Sequence, residues 1–202
     1  MSRSRRNIIL LLSLPVIALL VLLDNSYIKH TKHSRPLSEE QVRASDLEKY
    51  HAKIFAVVNV IDGDTIDIDI PDGQSKHTRI RLLGIDAPEN NPESGQMYFS
   101  AESTEFAKKC ALGKQVEIYL DQASETRGLY GRLLAYVKLP DGRFLNEVLL
   151  SEGFVYADTR FRHSLYNKYK QIESRARTGK KGLWQNVTPE QMPQWHQERE
   201  SI

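Results

Sequence analysis

Cysteine is almost absent. Cys110 is the only one in 202 residues, which excludes an intrachain disulfide framework and any cysteine-built zinc module. Eight prolines and eleven glycines exclude a collagen-like or low-complexity chain. Six histidines show no metal-ligand spacing, so none is assigned to a metal. Long apolar runs are missing after residue 23. A large excess of one charge is missing too: 28 Lys and Arg stand against 26 Asp and Glu. Six of those basic residues, and the single acid Asp24, lie within residues 1–35. That leaves 22 basic and 25 acidic residues, a net charge of −3, over residues 36–202. A body of that charge does not coat a polyanion by its overall field.

What is present first is an address. Residues 1–7 carry Arg3, Arg5 and Arg6 and no acid. Residues 8–23 are aliphatic apart from Ser13 and Pro15. As a helix this run is about 24 Å long, slightly short of a hydrocarbon core of ~30 Å. The following Asp24-Asn25-Ser26-Tyr27 offers no small-residue cleavage pattern, and no cysteine follows for a lipid anchor. The segment therefore reads as an uncleaved transmembrane signal anchor. The short Arg-rich end lies inside and the remaining chain on the extracytoplasmic side. A mitochondrial membrane, or secretion after signal cleavage, are the alternatives. Residues 24–50 read as a polar stalk, in which Ser38-Glu39-Glu40-Gln41 has capping-box spacing and predicts a short helix to about residue 50.

Residues 51–187 alternate strand and helix signals. Strands are predicted at 54–61, 66–70, 77–84, 116–120 and 133–139, and helices at about 97–112, 146–152 and 162–178. In Ile66-Asp67-Ile68-Asp69-Ile70 the period of two puts Ile on the core and Asp in water. Pro71-Asp72-Gly73-Gln74 is a hairpin turn. Five strands and about three helices make an α+β domain built on a small antiparallel barrel of the OB type. Residues 188–202 form a polar tail with Pro189 and Pro193, expected to be loosely held. Cys110, among Phe106, Ala111 and other apolar neighbours in sequence, is expected to be buried and inert.

The hairpin centred near Gly73 sets Asp64 opposite residue 82 or thereabouts. Asp64, Arg81 and the loop from Asp86 to Glu89 then converge at one end of the barrel. Each segment alone reads as an ordinary turn or a strand running into a Pro-bounded loop. Together, three carboxylates and a guanidinium are no core motif, because the like charges repel unless a cation neutralises them. Oxygen donors without His or Cys favour Ca²⁺ or Mg²⁺ over zinc. Asp64 and Asp86 are the candidate ligands, with the Ala87 carbonyl as a third. Glu89, held nearby by Pro88, is placed to take a proton from water. Tyr130-Gly131-Arg132 adds a second guanidinium. Two Arg near one metal match phosphate oxygens better than a carbonyl.

Val60-Ile61-Asp62-Gly63-Asp64-Thr65, Arg81-Leu82-Leu83-Gly84-Ile85-Asp86-Ala87-Pro88-Glu89 and Tyr130-Gly131-Arg132-Leu133-Leu134-Ala135-Tyr136 stand in one order and spacing. With Asn146-Glu147 and Gly182-Leu183-Trp184, they resemble the staphylococcal nuclease (thermonuclease) family over about residues 52–184. The resemblance implies an OB-fold endonuclease that uses Ca²⁺ to hydrolyse DNA and RNA and leaves 3′-phosphorylated products. It implies metal binding at Asp64 and Asp86, a general base at Glu89, and phosphate stabilisation by Arg81 and Arg132. Arg127-Gly128-Leu129 departs from the family pattern, which often has an Asp and a Lys before Tyr-Gly-Arg; this places a basic substrate contact in doubt. Tyr130 remains to stack on or hydrogen-bond a nucleotide. Tyr156 is a second candidate whose alternative is a core position. Residues 160–181 hold eight Lys and Arg against Glu173 alone, either guiding a strand or forming a solvated helix face. The other readings are a non-catalytic OB module that binds nucleic acid or protein, and a hydrolase of another phosphodiester.

Overall fold

The period-two runs of the sequence become the staves of a closed barrel. The computed structural model describes residues 38–91 and 95–200. The expected membrane anchor at 8–23 and most of the stalk lie outside the described residues. Among those described, no helix is long and apolar enough to cross a membrane.

The barrel order is β1 (Lys53–Val60), β2 (Thr65–Ile68), β3 (Thr78–Leu82), β8 (Leu133–Lys138) and β7 (Gln115–Tyr119), which returns to β1. All five strands fall where the apolar patterning predicts them. Closure pairs every strand on both sides and leaves no free edge. Four of the five pairings are antiparallel. The fifth, β3 with β8, is parallel, with Ile80 beside Leu133 and Leu82 beside Ala135. A wholly antiparallel barrel is therefore the wrong expectation. Between β3 and β8 the chain runs through helix α2 (Ser100–Ala111) and β7, and that long crossover permits a parallel return.

Ile66, Ile68, Ile80, Leu82, Val116, Ile118, Leu133, Ala135 and Val137 fill the interior, each at most 1% exposed. Helix α2 lies on the core through Ala107 and Ala111, and Phe106 stacks on Phe154 at 3.9 Å. Helix α3 (Leu145–Ser151) buries Leu145, Leu149 and Leu150. Its Asn146 is fully buried, accepting from the Val137 amide at 3.1 Å and donating to the Leu83 carbonyl at 3.0 Å. One side chain thus ties together the ends of the two parallel staves. Cys110 is half-buried rather than buried, and burial pushes its thiol pKa up.

Helix α1 (Glu39–Tyr50) follows from the capping signal and docks through charge as well as Tyr50. Its buried Asp46 pairs with Arg127 at 2.6 Å, while Arg127 reaches Asp72 of the β2–β3 hairpin at 2.5 Å. Burial opposes the Arg127 charge, but these two carboxylates outweigh it and raise its pKa. The residue at which the sequence departs from the family pattern therefore links helix α1, the hairpin and the loop before β8.

Asp67 also departs from expectation. It is 7% exposed rather than in water, because Arg79, its cross-strand partner, covers it with Nε at 2.8 Å and Nη2 at 3.1 Å. Burial opposes ionisation there, but the hydrogen bonds and charge of Arg79 win and lower the Asp67 pKa.

Candidate active site

Three local structures meet at one end of the barrel. In the first, the Asp64 amide donates to Asp62 Oδ1 at 3.0 Å, and the Ile61 amide to the Thr65 carbonyl at 2.9 Å. That turn starts β2 with Asp64 pointing across to β3. The Leu82 amide donates to the Asp64 carbonyl at 2.8 Å and Thr65 pairs with Arg81, the register the hairpin arithmetic predicts.

The second is the reversal at Gly84, from β3 into β4 (Ile85–Asp86), beyond which the short strands β5 (Asn90–Asn91) and β6 (Gly95–Gln96) pair with each other. Gly84 has φ +78°, and a Cβ there would run into the His163 ring. The tight reversal lets Arg81 Nη1 donate to the Ile85 carbonyl at 2.6 Å. The same guanidinium pairs with Asp64 Oδ2 at 2.8 Å and with Asp86 Oδ1 at 2.6 Å. The Nε–H of Arg81 has no acceptor among the described residues.

Asp64 and Asp86 are 5% and 6% exposed. Asp64 Oδ1 accepts from the Thr65 hydroxyl at 2.9 Å, and Oδ2 from the Ala87 amide at 2.6 Å. Burial dominates and raises the Asp64 carboxyl above the ordinary carboxylate range. Arg81 opposes this, while Asp62 and Asp86 add to it. Arg81 responds the other way. Burial disfavours its charge, yet Asp64 and Asp86 hold its pKa above the ordinary guanidinium value. The centre is short of positive charge.

Glu89 lies at the rim with its side chain reaching solvent. Partial desolvation raises its pKa, Asp86 and Asp62 raise it further, and Arg81 and Arg132 pull it back. It therefore feels both carboxylate and guanidinium groups of the centre. The third local structure is the turn before β8. Gly131, at φ +73°, allows Gly128 and Arg132 to close it, the Gly128 amide donating to the Arg132 carbonyl at 2.9 Å. Arg132 makes no ion pair among the described residues. Its guanidinium lies 5.9 Å from the Tyr130 ring, which is 81% exposed. A cavity of about 550 Å³ runs from Tyr130 and Arg132 along the hairpin past Arg79, His77 and Lys76.

Tyr156 is not at this surface. It is fully buried in β9 (Tyr156–Ala157), with its ring 5.4 Å from that of Trp184, so a substrate contact there is replaced by a core position.

Asp86, Arg81, Glu89 and Arg132 occupy the segment of the chain that matches the family of staphylococcal nuclease homologues, residues 79–186. A thermonuclease of Staphylococcus hyicus is 32% identical over 146 residues, 71% of this chain and 83% of that protein. An uncharacterized endonuclease of Escherichia coli is 33% identical over 145 residues, 69% of this chain and 80% of its own. The chain belongs to the staphylococcal nuclease family. A thermonuclease of Staphylococcus intermedius is 40% identical over a shorter stretch, 51% of this chain and 58% of that protein.

In this member of the family, three residues that sequence reasoning left out of the site touch it. Asp158 takes both Nε and Nη2 of Arg160, at 2.9 and 2.8 Å. Arg160 Nη2 also lies 3.0 Å from Asp86 Oδ1. Trp195 Nε1 donates to Asp86 Oδ2 at 2.9 Å. Arg160 was visible only as one charge in the basic run, and that run is partly cancelled. Lys168 pairs with Glu147 at 2.5 Å and Lys181 with Glu152 at 3.1 Å. Exposed pairs of this kind add about 0–1 kcal/mol to stability; their consequence is a weaker field along helix α4 (Tyr166–Thr178) and its flanks.

Space at the first turn is as tight as charge. A Cβ on Gly63 would overlap Ser103 Oγ and lie 2.8 Å from Ala87 Cβ. Ala87 supplies the amide that holds Asp64, so relief of the clash moves that amide. Gly63→Ala is expected to cost about 2 kcal/mol, lowering the thermal midpoint by roughly 4–8 °C at this chain length. An unchanged midpoint would mean that the turn has room it does not show.

Proposed function

We propose that this protein is a Ca²⁺-dependent endonuclease that hydrolyses phosphodiester bonds of DNA, RNA or both. The observation that carries the reading is the pair of buried carboxylates, Asp64 and Asp86, meeting on the guanidinium of Arg81, with Arg160 at the outer side of Asp86. The thermonuclease and endonuclease relatives support it. The donor set fits a hard divalent cation: every candidate ligand is an oxygen, and two buried carboxylates meet at one point. Among the described residues no three His, Cys, Asp or Glu gather as a complete cage. Asp64, Asp86 and the Ala87 carbonyl would hold the ion, with water and substrate phosphate completing its shell. When bound, such an ion polarises phosphate oxygen and lowers the pKa of water.

The chain's own groups do the rest. Glu89 accepts the proton of the attacking water, so that oxygen bonds to phosphorus while the bond to the 5′ oxygen breaks and the leaving 5′ oxygen takes up a proton from solvent. A raised pKa suits that task, because it makes the carboxylate a stronger base. Arg132, which makes no ion pair among the described residues, and the Nε edge of Arg81 donate to the phosphate oxygens as charge builds on them. Tyr130 offers an exposed ring for a base, and the cavity beyond Arg132 continues the path of the strand. The apolar run 8–23 supports a membrane tether with the nuclease domain on the extracytoplasmic side.

The test is cleavage of single-stranded and duplex DNA and RNA with Ca²⁺ and with EGTA. EGTA is expected to abolish cleavage while the circular dichroism spectrum stays native, and the products are expected to carry 3′ phosphates. Undiminished cleavage in EGTA, with other metals removed, rejects the calcium site.

A further inference from the structure

The tail beyond Trp184 contradicts its expected looseness. Helix α5 (Gln194–Glu200) has seven residues, too few to stand unaided, yet it and the turn that leads into it are pinned at three points. Met192, 5% exposed, joins the cluster of Tyr156, Ala176, Leu183 and Trp184. His196 is fully buried, with Nε2 3.6 Å from Glu173 Oε1. Arg199 reaches Glu173 Oε2 at 3.3 Å and Thr159 Oγ1 at 3.2 Å. Glu173 itself accepts from the Ala157 amide at 2.8 Å. Ala157 belongs to β9, which pairs with β4 so that Tyr156 lies beside Asp86. One buried carboxylate therefore locks helix α5 to the strand that flanks Asp86.

The consequence is a hydrogen bond spanning 109 positions in sequence, from Trp195 Nε1 to Asp86 Oδ2. The Trp195 ring also covers the Arg160 guanidinium at 4.8 Å. Asp86 then receives Arg81 and Arg160 on Oδ1 and the indole on Oδ2. An ionised carboxylate has about four acceptor sites, so one direction remains, on Oδ2. The indole is a neutral donor. It orients the carboxylate without adding a positive charge that would compete with a cation.

We propose that Trp195 is a positioning residue for the metal-binding carboxylate: its N–H sets the plane of Asp86 so that the remaining Oδ2 lone pair faces the ion. This rests on the reading of Asp86 as a ligand. Outer hydrogen bonds to metal-binding side chains typically change affinity by about 10–100-fold. Trp195 packs its ring against the Tyr156–Trp184 cluster while its N–H points to Asp86.

The test replaces Trp195 by Phe in the full chain, keeping a ring over Arg160 and removing the N–H. Calorimetric Ca²⁺ titration is expected to show a Kd about 10–100-fold weaker with an unchanged thermal midpoint without Ca²⁺. The wild-type chain has two tryptophans, and the indole N–H resonance missing in Trp195→Phe is expected to shift as Ca²⁺ is added to wild type. A variant that binds Ca²⁺ with the wild-type Kd overturns the inference and leaves the nuclease proposal standing. Two wild-type indole signals that both stay fixed at saturating Ca²⁺ overturn it whatever the variant does. A wild-type protein that binds no Ca²⁺ overturns both.

Discussion

Glu89→Gln is expected to lower turnover by about 10²–10⁴-fold, the usual scale for a lost general acid–base group. That range corresponds to roughly 2.7–5.4 kcal/mol of activation free energy. The amide keeps the size and most of the polarity of the side chain but accepts no proton at any ordinary pH. Glu89 reaches solvent and makes no side-chain hydrogen bond to Asp64, Asp86 or Arg81 among the described residues. Its replacement therefore leaves the buried pairs intact, and the thermal midpoint is expected to stay within a degree or two. The measurement is initial-rate cleavage under saturating Ca²⁺, beside an unfolding scan of the same preparation. Full turnover in Glu89→Gln removes Glu89 from the mechanism. It would also show that the raised pKa of its carboxyl reflects only its neighbours.

Arg81→Met has the opposite signature, because it strikes fold and chemistry together. Arg81 is the shared counter-charge of Asp64 and Asp86. Methionine fills much of the space, strips buried Asp64 of its ion-pair partner and leaves Asp86 to Arg160 alone. Breaking a buried pair in this way costs about 3–5 kcal/mol. The lost phosphate donor removes a further 10²–10³-fold from turnover, the scale for one preorganised donor. Arg81→Lys separates the two effects. A lysine restores the charge, and most of the stability with it, but cannot fork between two carboxylates and present a second edge to a phosphate. Its thermal midpoint is expected near wild type with turnover still depressed. A Met variant as stable as wild type would show that the two carboxylates do not need Arg81 for folding.

Much of the site was legible because its parts are local. A turn at Gly73 and a period of two along β2 and β3 are enough to bring Asp64 across from Arg81. The Pro-bounded loop from Asp86 to Glu89 is enough to bring Asp86 near both, although the reversal at Gly84 that turns it back appears only in the structure. Gly131 marks the turn that sets Arg132 before β8. The same patterns placed all five barrel strands, since alternation is read within a few residues.

Other features were not legible, because they depend on what packs against them. Asp67 carries the alternation of an outward residue, yet Arg79 folds over it. Tyr156 reads equally as a ligand contact or a core ring until Trp184 and β9 enclose it. The tail misled most: its prolines and charges suggest a loose end, whereas Met192, Trp195 and His196 are apolar or aromatic groups that need a surface. That signal was present but had no address.

The amino-acid order alone determined the barrel strands and the convergence of Asp64, Arg81 and Asp86, because turn chemistry and short-range periodicity set both within a few residues of chain. The tertiary structure alone decided that helix α5 folds back, that Glu173 anchors it and that Trp195 donates to Asp86. The physical reason is that a buried contact between positions 109 apart leaves no periodic trace, and its geometry exists only once the barrel, β9 and the last helix have packed.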